Sequence, residues 1–315
     1  MPLPPAKELY ALYVHPAPFP RHLAVALLAA LACTFAGNHI AARIAFDHDA
    51  GVLLAILCRS GVALLLLGTL VAWQRQPLRL PPGTWHWQLL AGLLIAIQSL
   101  CLYSAVARIP VALALLAANT FPIILALLTW ALGGPPPSRR SAGLMGLILF
   151  GLLFALDVPA RLGGQDSGGP EWLPGIGLAL CAACAFAGAL WVTEHRLASL
   201  RGSLRSLLTM LVVFVGALLA GASDLLPGAV APPTASAGWL GLGVLALLYG
   251  LGFTLLFVCM PRLDLARNAP VMNMEPVATL LLGWLILGQT LSPMQIGGAA
   301  IVVGGIVLLS YRKQA

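Results

Sequence analysis

Residues 108–151 carry the sequence RIPVALALLAANTFPIILALLTWALGGPPPSRRSAGLMGLILFG, and residues 262–305 repeat its pattern as RLDLARNAPVMNMEPVATLLLGWLILGQTLSPMQIGGAAIVVGG. Each position of the first stretch pairs with the position 154 residues later, and no gap is needed. Among the identical pairs are Arg108/Arg262, Asn119/Asn273, Pro122/Pro276, Trp130/Trp284, Gly134/Gly288, Ser138/Ser292, Gly143/Gly297 and Gly151/Gly305. The chain is therefore predicted to contain two copies of one unit.

The composition is typical of a protein whose solvent is lipid. Of the 315 residues, 60% are hydrophobic and only 9% are charged. Crossing about 30 Å of hydrocarbon takes about 20 apolar residues in a helix, because unpaired backbone amides cannot remain there. Ten such runs lie near residues 23–43, 51–72, 87–107, 111–132, 142–157, 173–193, 204–223, 238–260, 267–287 and 293–311. The sequence predicts an all-α polytopic membrane protein with ten transmembrane helices.

The 17 basic residues indicate how these helices are oriented. Thirteen fall on the segments that are inside if the N-terminus is cytoplasmic, while Arg43, Arg108 and Arg161 fall outside and Arg59 lies within the second span. By the positive-inside rule, we expect both termini in the cytoplasm. The basic residues form no concentrated patch, which excludes a nucleic-acid partner.

Dividing ten spans between two copies gives five each, and an odd number inserts the second copy upside down. We therefore predict two inverted five-helix repeats, over residues 21–157 and 173–311, within one membrane domain that follows a flexible cytosolic tail over 1–20. Inverted repeats are typical of secondary transporters, because they can expose one site to either side of the membrane in turn. No G-x-x-x-x-G-K-[ST] phosphate-binding loop is present in the sequence, so ATP is not the expected energy source.

Short motifs in both copies resemble the EamA family of the drug/metabolite transporter superfamily. The second copy carries them at 273–277 (NMEPV), 287–289 (LGQ) and 295–298 (QIGG), and the first copy at 119–122 (NTFP), 134–138 (GPPPS) and 143–151. Arg59 resembles the Arg that is usual in the family's second span. Gln289 departs from a frequent acidic residue, and Arg43 departs from a common Lys.

The resemblance covers essentially the whole chain after residue 20. It implies ten helices, inner termini and a central solute pathway lined by the first, third and fourth helices of each repeat. It also favours export over import, and it does not identify the solute.

Glu275 is the leading candidate for solute or coupling-ion binding. It is the only carboxylate well inside a predicted span, where a charge costs about 2.5–3.5 kcal/mol without a partner. A hydrogen-bonded tie between helices is the alternative. Pro276 follows directly and, like Pro122 in the first copy, has no amide hydrogen to donate, so both prolines are expected to bend their helices.

Arg59 and His39 are two further candidates within predicted spans. Arg59 stays charged and must find an anion, carbonyl groups or water, so it either braces neighbouring helices or binds solute; pairing with Glu275 is left open. Asn38 and His39 are adjacent in the first span. Because His titrates near neutral pH, His39 is either an interhelical tie or a proton relay.

The remaining pathway candidates are amides and tyrosines. Asn119 and Asn273 occupy equivalent positions, and helix bending or solute binding would explain an Asn at both. Gln98 and Tyr103 in the third span and Tyr249 in the eighth would suit an amphipathic organic solute if they face a cavity, and would serve packing otherwise.

Together these features predict a secondary active transporter, with export favoured. It would carry a small organic metabolite, such as an amino acid or an amphipathic compound, across the inner membrane by alternating access. An intramembrane enzyme or a membrane receptor that does not transport are the alternatives. The expected partners are the solute and the lipid bilayer, without cofactor or metal, while protons as coupling ion and a homodimer stay open.

Overall fold

The computed structural model describes residues 19–75, 78, 80–156, 169–223, 228–259, 263, 271 and 274–310, and over these residues the fold is all-helical. The helices are α1 (Arg21–Phe46), α2 (Val52–Trp73), α3 (Trp85–Arg108), α4 (Val111–Ala118), α5 (Phe121–Ala131), α6 (Arg139–Ala155), α7 (Trp172–Arg196), α8 (Gly202–Ala222), α9 (Ser236–Cys259), α10 (Glu275–Leu287) and α11 (Pro293–Ser310). We refer to α1–α6 as the first half and to α7–α11 as the second half. The predicted spans match these helices to within three residues, except the fourth and the ninth.

The outer surface of the bundle is apolar. Within the described part of the chain, seven helices are long and apolar enough to cross a membrane, with α4 and α5 counted together as one. Large side chains face outward on both halves, among them Leu65, Leu240 and Leu285, which are 73%, 69% and 67% exposed. A surface with this much exposed leucine suits hydrocarbon and not water.

The fourth predicted span, 111–132, corresponds to Val111–Ala131, and it consists of two helices with a break between them. α4 ends at Ala118 and α5 begins at Phe121, and both intervening side chains hydrogen-bond back to α4. Asn119 Nδ2 donates to the Leu115 carbonyl at 2.8 Å, and Thr120 Oγ1 donates to the Ala117 carbonyl at 2.7 Å. Pro122 lies in the first turn of α5, where its missing amide hydrogen costs no helical bond.

The ninth predicted span, 267–287, is described as a helix only from Glu275 onward. Pro276 lies in the first turn of α10, as Pro122 does in α5. Each of the two equivalent prolines therefore lies in the first turn of a described helix, and their bending role stays a prediction. Asn273 lies outside the described residues.

The two halves interdigitate, and their contacts follow the repeat. α3 packs along α7, and the equivalent pair, α9 and α1, also packs along its length. α2 packs on α9, and the equivalent pair, α8 and α3, also packs. α2 packs on α8 and α6 packs on α11, and in each of these two pairs the helices are equivalents of each other. Exchanging one half for the other therefore reproduces these contacts between the halves.

Hydrogen bonds at one end of the bundle fix the direction of several helices. Arg43, near the end of α1, donates from Nη1 to the carbonyls of Val106, Ala107 and Ile109 at 2.9, 3.3 and 3.4 Å. These carbonyls lie at the C-terminal end of α3, where no further turn of helix satisfies them and a cation is favourable. α1 and α3 therefore finish at the same end of the bundle.

The second half of the chain begins at the end of the bundle where α1 and α3 finish. Arg108, the last residue of α3, pairs with Glu171, just before α7, at 2.9 Å. Thr234, just before α9, donates to Asp49, just after α1, at 3.1 Å. α7 thus starts near the end of α3, and α9 starts near the end of α1.

Glycines bring α6 and α11 into backbone contact. A Cβ atom on Gly298 would lie 2.3 Å from the Ala155 nitrogen and 2.6 Å from the Gly151 oxygen. The neighbouring Gly297 has nothing within 4 Å of the same position. Gly298 is therefore needed for the approach of the two helices, which is the usual role of small residues between membrane helices.

We expect Gly298→Ala to destabilise the folded protein by about 1–3 kcal/mol, because the added methyl group forces α6 and α11 apart. Gly297→Ala is the matched control and should leave stability unchanged or raise it by up to about 1 kcal/mol, because glycine is a poor helix former. Thermal unfolding of detergent-purified variants measures both effects. Equal melting temperatures for the two variants would contradict this packing.

Candidate functional site

A cluster of polar side chains lies buried between the two halves. We call it the central polar cluster, and its members are Asn38 and His39 of α1, Arg59 of α2, Ser99 and Tyr103 of α3, Tyr249 of α9 and Glu275 of α10. All but Glu275 are at most 6% exposed. Five helices from both halves therefore meet at one polar centre.

Glu275 is placed by the start of α10. It is the first residue of that helix, where the helix dipole favours a negative charge, and Pro276 follows at a position that needs no amide hydrogen. Thr279 Oγ1 donates to the Glu275 backbone carbonyl at 2.8 Å. The side chain of Glu275 is 22% exposed, so Glu275 is the most exposed member of the cluster.

The carboxylate of Glu275 faces α1. Its Oε1 lies 3.5 Å from Nε2 of His39, which forms an ion pair when the imidazole is protonated. The ring of His39 also meets the ring of Tyr103 edge to face, with centroids 6.0 Å apart. His39 therefore connects the carboxylate of the second half to the aromatic centre of the first.

Arg59 is held between two aromatic rings. Its guanidinium carbon lies 4.4 Å from the ring centroid of Tyr103 and 4.3 Å from that of Tyr249, and an Nη atom donates to Ser99 Oγ. A desolvated cation–π contact is worth about 2 kcal/mol, so two of them are enough to offset the cost of about 3 kcal/mol for a cation at this depth. One ring comes from each half.

Tyr103 joins the two sides of the cluster. Its hydroxyl donates to Asn38 Oδ1 at 3.0 Å, and its ring packs against the Arg59 guanidinium group. Among the described residues, the Tyr249 hydroxyl donates to the Met210 sulfur, at 3.7 Å, which is a weak acceptor. Tyr103 is thus the more strongly fixed of the two tyrosines.

Three polar atoms in the cluster lack a hydrogen-bond partner within the described part of the chain. They are Nδ2 of Asn38, Nδ1 of His39 and Nε of Arg59, and each is buried. Buried donors are normally satisfied by protein or water, and an unsatisfied one costs about 1–3 kcal/mol. Asn38 Nδ2 and Arg59 Nε always carry hydrogen, so they are unused donors, whereas His39 Nδ1 donates or accepts according to its tautomer.

The structure brings together most of the residues singled out from the sequence. Six of the predicted pathway candidates belong to the cluster: Asn38, His39, Arg59, Tyr103, Tyr249 and Glu275. The partner of Glu275 is His39 and not Arg59, since no ion pair between described residues includes Arg59.

The other candidates are placed differently. Gln98 lies beside the cluster, where its Oε1 is 3.4 Å from Ser99 Oγ, whereas Asn119 bonds to its own helix. Gln289 accepts from the Val111 amide at 3.2 Å and so ties the end of α10 to the start of α4. Sequence reasoning missed Phe46, which meets Tyr103 edge to face at 5.8 Å, because an apolar residue in an apolar helix gives no signal.

A cavity of about 530 Å³ lies at the end of the bundle where α3 finishes and α7 begins. Ser104, Arg108, Glu171 and Gly51 are among its lining residues, and no member of the central polar cluster is. In this conformation the cluster does not open into that cavity. Among the described residues, no group of His, Cys, Asp and Glu side chains is arranged to hold a metal ion.

The fold and the cluster define the class: a multi-pass, all-helical membrane protein with a polar centre buried between two similar halves. The model of the EamA-like transporter family matches this chain twice, over residues 22–156 and 173–311. The chain belongs to the EamA-like transporter family. Membership in a transporter family points away from an enzyme, and the family fits the drug/metabolite transporter superfamily.

Similar proteins include known and uncharacterized transporters. An uncharacterized transporter of Synechocystis sp. is 26% identical over 230 residues, which are 70% of this chain and 65% of that protein. The threonine/homoserine exporter RhtA of Escherichia coli K12 is 29% identical over 228 residues, 68% of each chain. The chain thus spans just under two thirds of the Synechocystis protein.

A solved crystal structure resembles most of this chain. It superposes with a TM-score of 0.59 at 20% identity and covers 93% of this chain and 98% of its own. This likeness supports the overall fold.

We expect Tyr103→Phe to destabilise the protein by about 1–2 kcal/mol, because it leaves the buried Asn38 Oδ1 without a donor while keeping the ring over Arg59. Tyr249→Phe is the matched control. It also keeps its ring and loses only the weak bond to sulfur, so it should cost less. Melting temperatures in detergent give the comparison, and a larger loss for Tyr249→Phe would contradict the hydrogen-bond assignment.

Proposed function

We propose that this protein is a secondary active exporter of a small organic metabolite, such as an amino acid, and that the central polar cluster is its solute site. The observation that carries the proposal is the origin of the cluster: Asn38, His39, Arg59 and Tyr103 come from the first half, and Tyr249 and Glu275 from the second. A site built from two halves changes its access when the halves move relative to each other.

We propose that residues 21–157 and 173–311 form inverted five-helix repeats, ten transmembrane helices in all, and that exchanging their conformations provides alternating access. The symmetric contacts between halves support this arrangement, as does the meeting of the starts of α7 and α9 with the ends of α1 and α3. The distribution of basic residues favours the inner membrane with both termini in the cytoplasm.

The chemistry of the cluster favours a solute with polar groups of both signs. Glu275 offers a carboxylate that a solute ammonium group can bind, and Arg59 offers a cation. The ring of Tyr103 beside them suits a short apolar side chain. The similarity to a threonine/homoserine exporter supports an amino acid as the first solute to test.

The proposal is tested by a panel of radiolabelled amino acids and amphipathic compounds in proteoliposomes, with and without an imposed proton gradient. We expect at least one amino acid to accumulate beyond protein-free liposomes. We expect Glu275→Gln to lower its flux at least tenfold, because the neutral amide keeps the shape of the side chain but loses a charge-assisted hydrogen bond of about 1.5–3 kcal/mol.

Glu194→Gln is the matched control, since Glu194 is exposed near the end of α7 and lies outside the cluster. It should transport as the wild type does, and both variants should elute as folded protein. Wild-type flux in Glu275→Gln would remove Glu275 from the transport step. Absence of flux for every compound in the panel would overturn the proposed function.

A further inference from the structure

We propose that Arg59 binds the carboxylate of the transported solute, and that the ring of Tyr249 covers this anion site while it is empty. The inference rests on the proposed function and specifies how its site distinguishes solutes. It predicts that a negatively charged group is required for transport, independently of what Glu275 recognises.

The charge of Arg59 is covered but not neutralised. Its described partners are two ring faces and one hydroxyl, and none of the described carboxylates forms an ion pair with it. The one carboxylate of the cluster, Glu275, is directed to His39 instead. A guanidinium group that is 4% exposed within an apolar helix is therefore left without a counter-ion in the described structure.

Two unsatisfied donors lie around one tyrosine. Arg59 Nε and Asn38 Nδ2 both have hydrogen to donate and no acceptor among the described residues. Both residues contact Tyr103, one through its ring and the other through its hydroxyl, so the two donors flank a single side chain. A carboxylate supplies what is missing, because it carries a negative charge and accepts hydrogen bonds without donating any.

Tyr249 is the removable part of this arrangement. It belongs to α9 of the second half, whereas Arg59, Tyr103 and Asn38 belong to the first half. Movement of one half against the other withdraws the Tyr249 ring and leaves Arg59 with one exposed face. A solute carboxylate then takes the place of the ring, so solute and ring compete for the same cation.

The first test uses only the wild-type protein and therefore does not depend on whether a variant folds. Proteoliposomes are assayed with L-threonine, L-threoninol and L-threonine methyl ester, which share the ammonium group and differ in the carboxylate. Any other amino acid carried in the panel is tested with its own amino alcohol and ester. We expect the acid to be carried at least tenfold more efficiently than the alcohol or the ester.

The second test separates Arg59 from the rest of the site. Arg59→Lys keeps the charge but loses Nε and the planar face, so it should weaken the preference for the acid, and Arg59→Gln should abolish it. Arg108→Gln is the matched control, since Arg108 pairs with Glu171 away from the cluster, and it should keep the wild-type preference. An unchanged preference in Arg59→Gln would contradict the role of Arg59.

The third test addresses the competing ring and applies even if the Arg59 variants do not fold. Tyr249→Leu removes the ring, so L-threonine should raise the melting temperature of this purified variant at a concentration about three- to tenfold lower than for the wild type. Weaker binding in Tyr249→Leu would contradict the competition and indicate that the ring holds the solute.

The outcomes distinguish this inference from the proposed function. If the wild type carries threoninol and the ester as well as it carries threonine, the anion site is wrong although the protein transports. Transport restricted to solutes that lack a carboxylate would contradict the anion site in the same way. If no compound is carried, the proposed function fails and this inference fails with it.

Discussion

A permanently charged guanidinium in the middle of an apolar helix is the constraint on which the centre of this protein depends. Arg59 cannot lose its proton at physiological pH, and the surrounding helices offer it few polar atoms. Two tyrosine rings and a serine hydroxyl supply the compensation, and one of the rings comes from the other half of the chain. The buried cation thereby makes the stability of the centre depend on how the halves meet.

Contacts elsewhere in the bundle hold the helices of the two halves together. Small residues such as Gly298 let α6 and α11 approach at backbone distance, and Arg43 binds the free carbonyls at the end of α3. Between the halves, α1 packs against α9, α2 against α8 and α9, and α3 against α7 and α8. The polar centre lies where α10 begins, because Pro276 places Glu275 in a first helical turn.

The sequence predicted the helices well and the contacts between them only in part. Hydropathy locates spans because every backbone amide in lipid must be paired, and the described helices follow the predicted runs closely. The break between α4 and α5 at Asn119 and Thr120 lies beside Pro122, where the sequence predicted a bend. The partner of Glu275 was open from sequence because it depends on how α1 and α10 are rotated, and the structure assigns His39.

The most direct test of alternating access is whether the centre of the bundle is reached from both sides of the membrane. Ser99→Cys in a background without the six native cysteines places a thiol beside Arg59. A membrane-impermeant maleimide is then added to sealed right-side-out or inside-out vesicles. Alternating access predicts labelling from either side, slowed by transported solute; a thiol labelled from one side only, or equally fast with solute present, would contradict it.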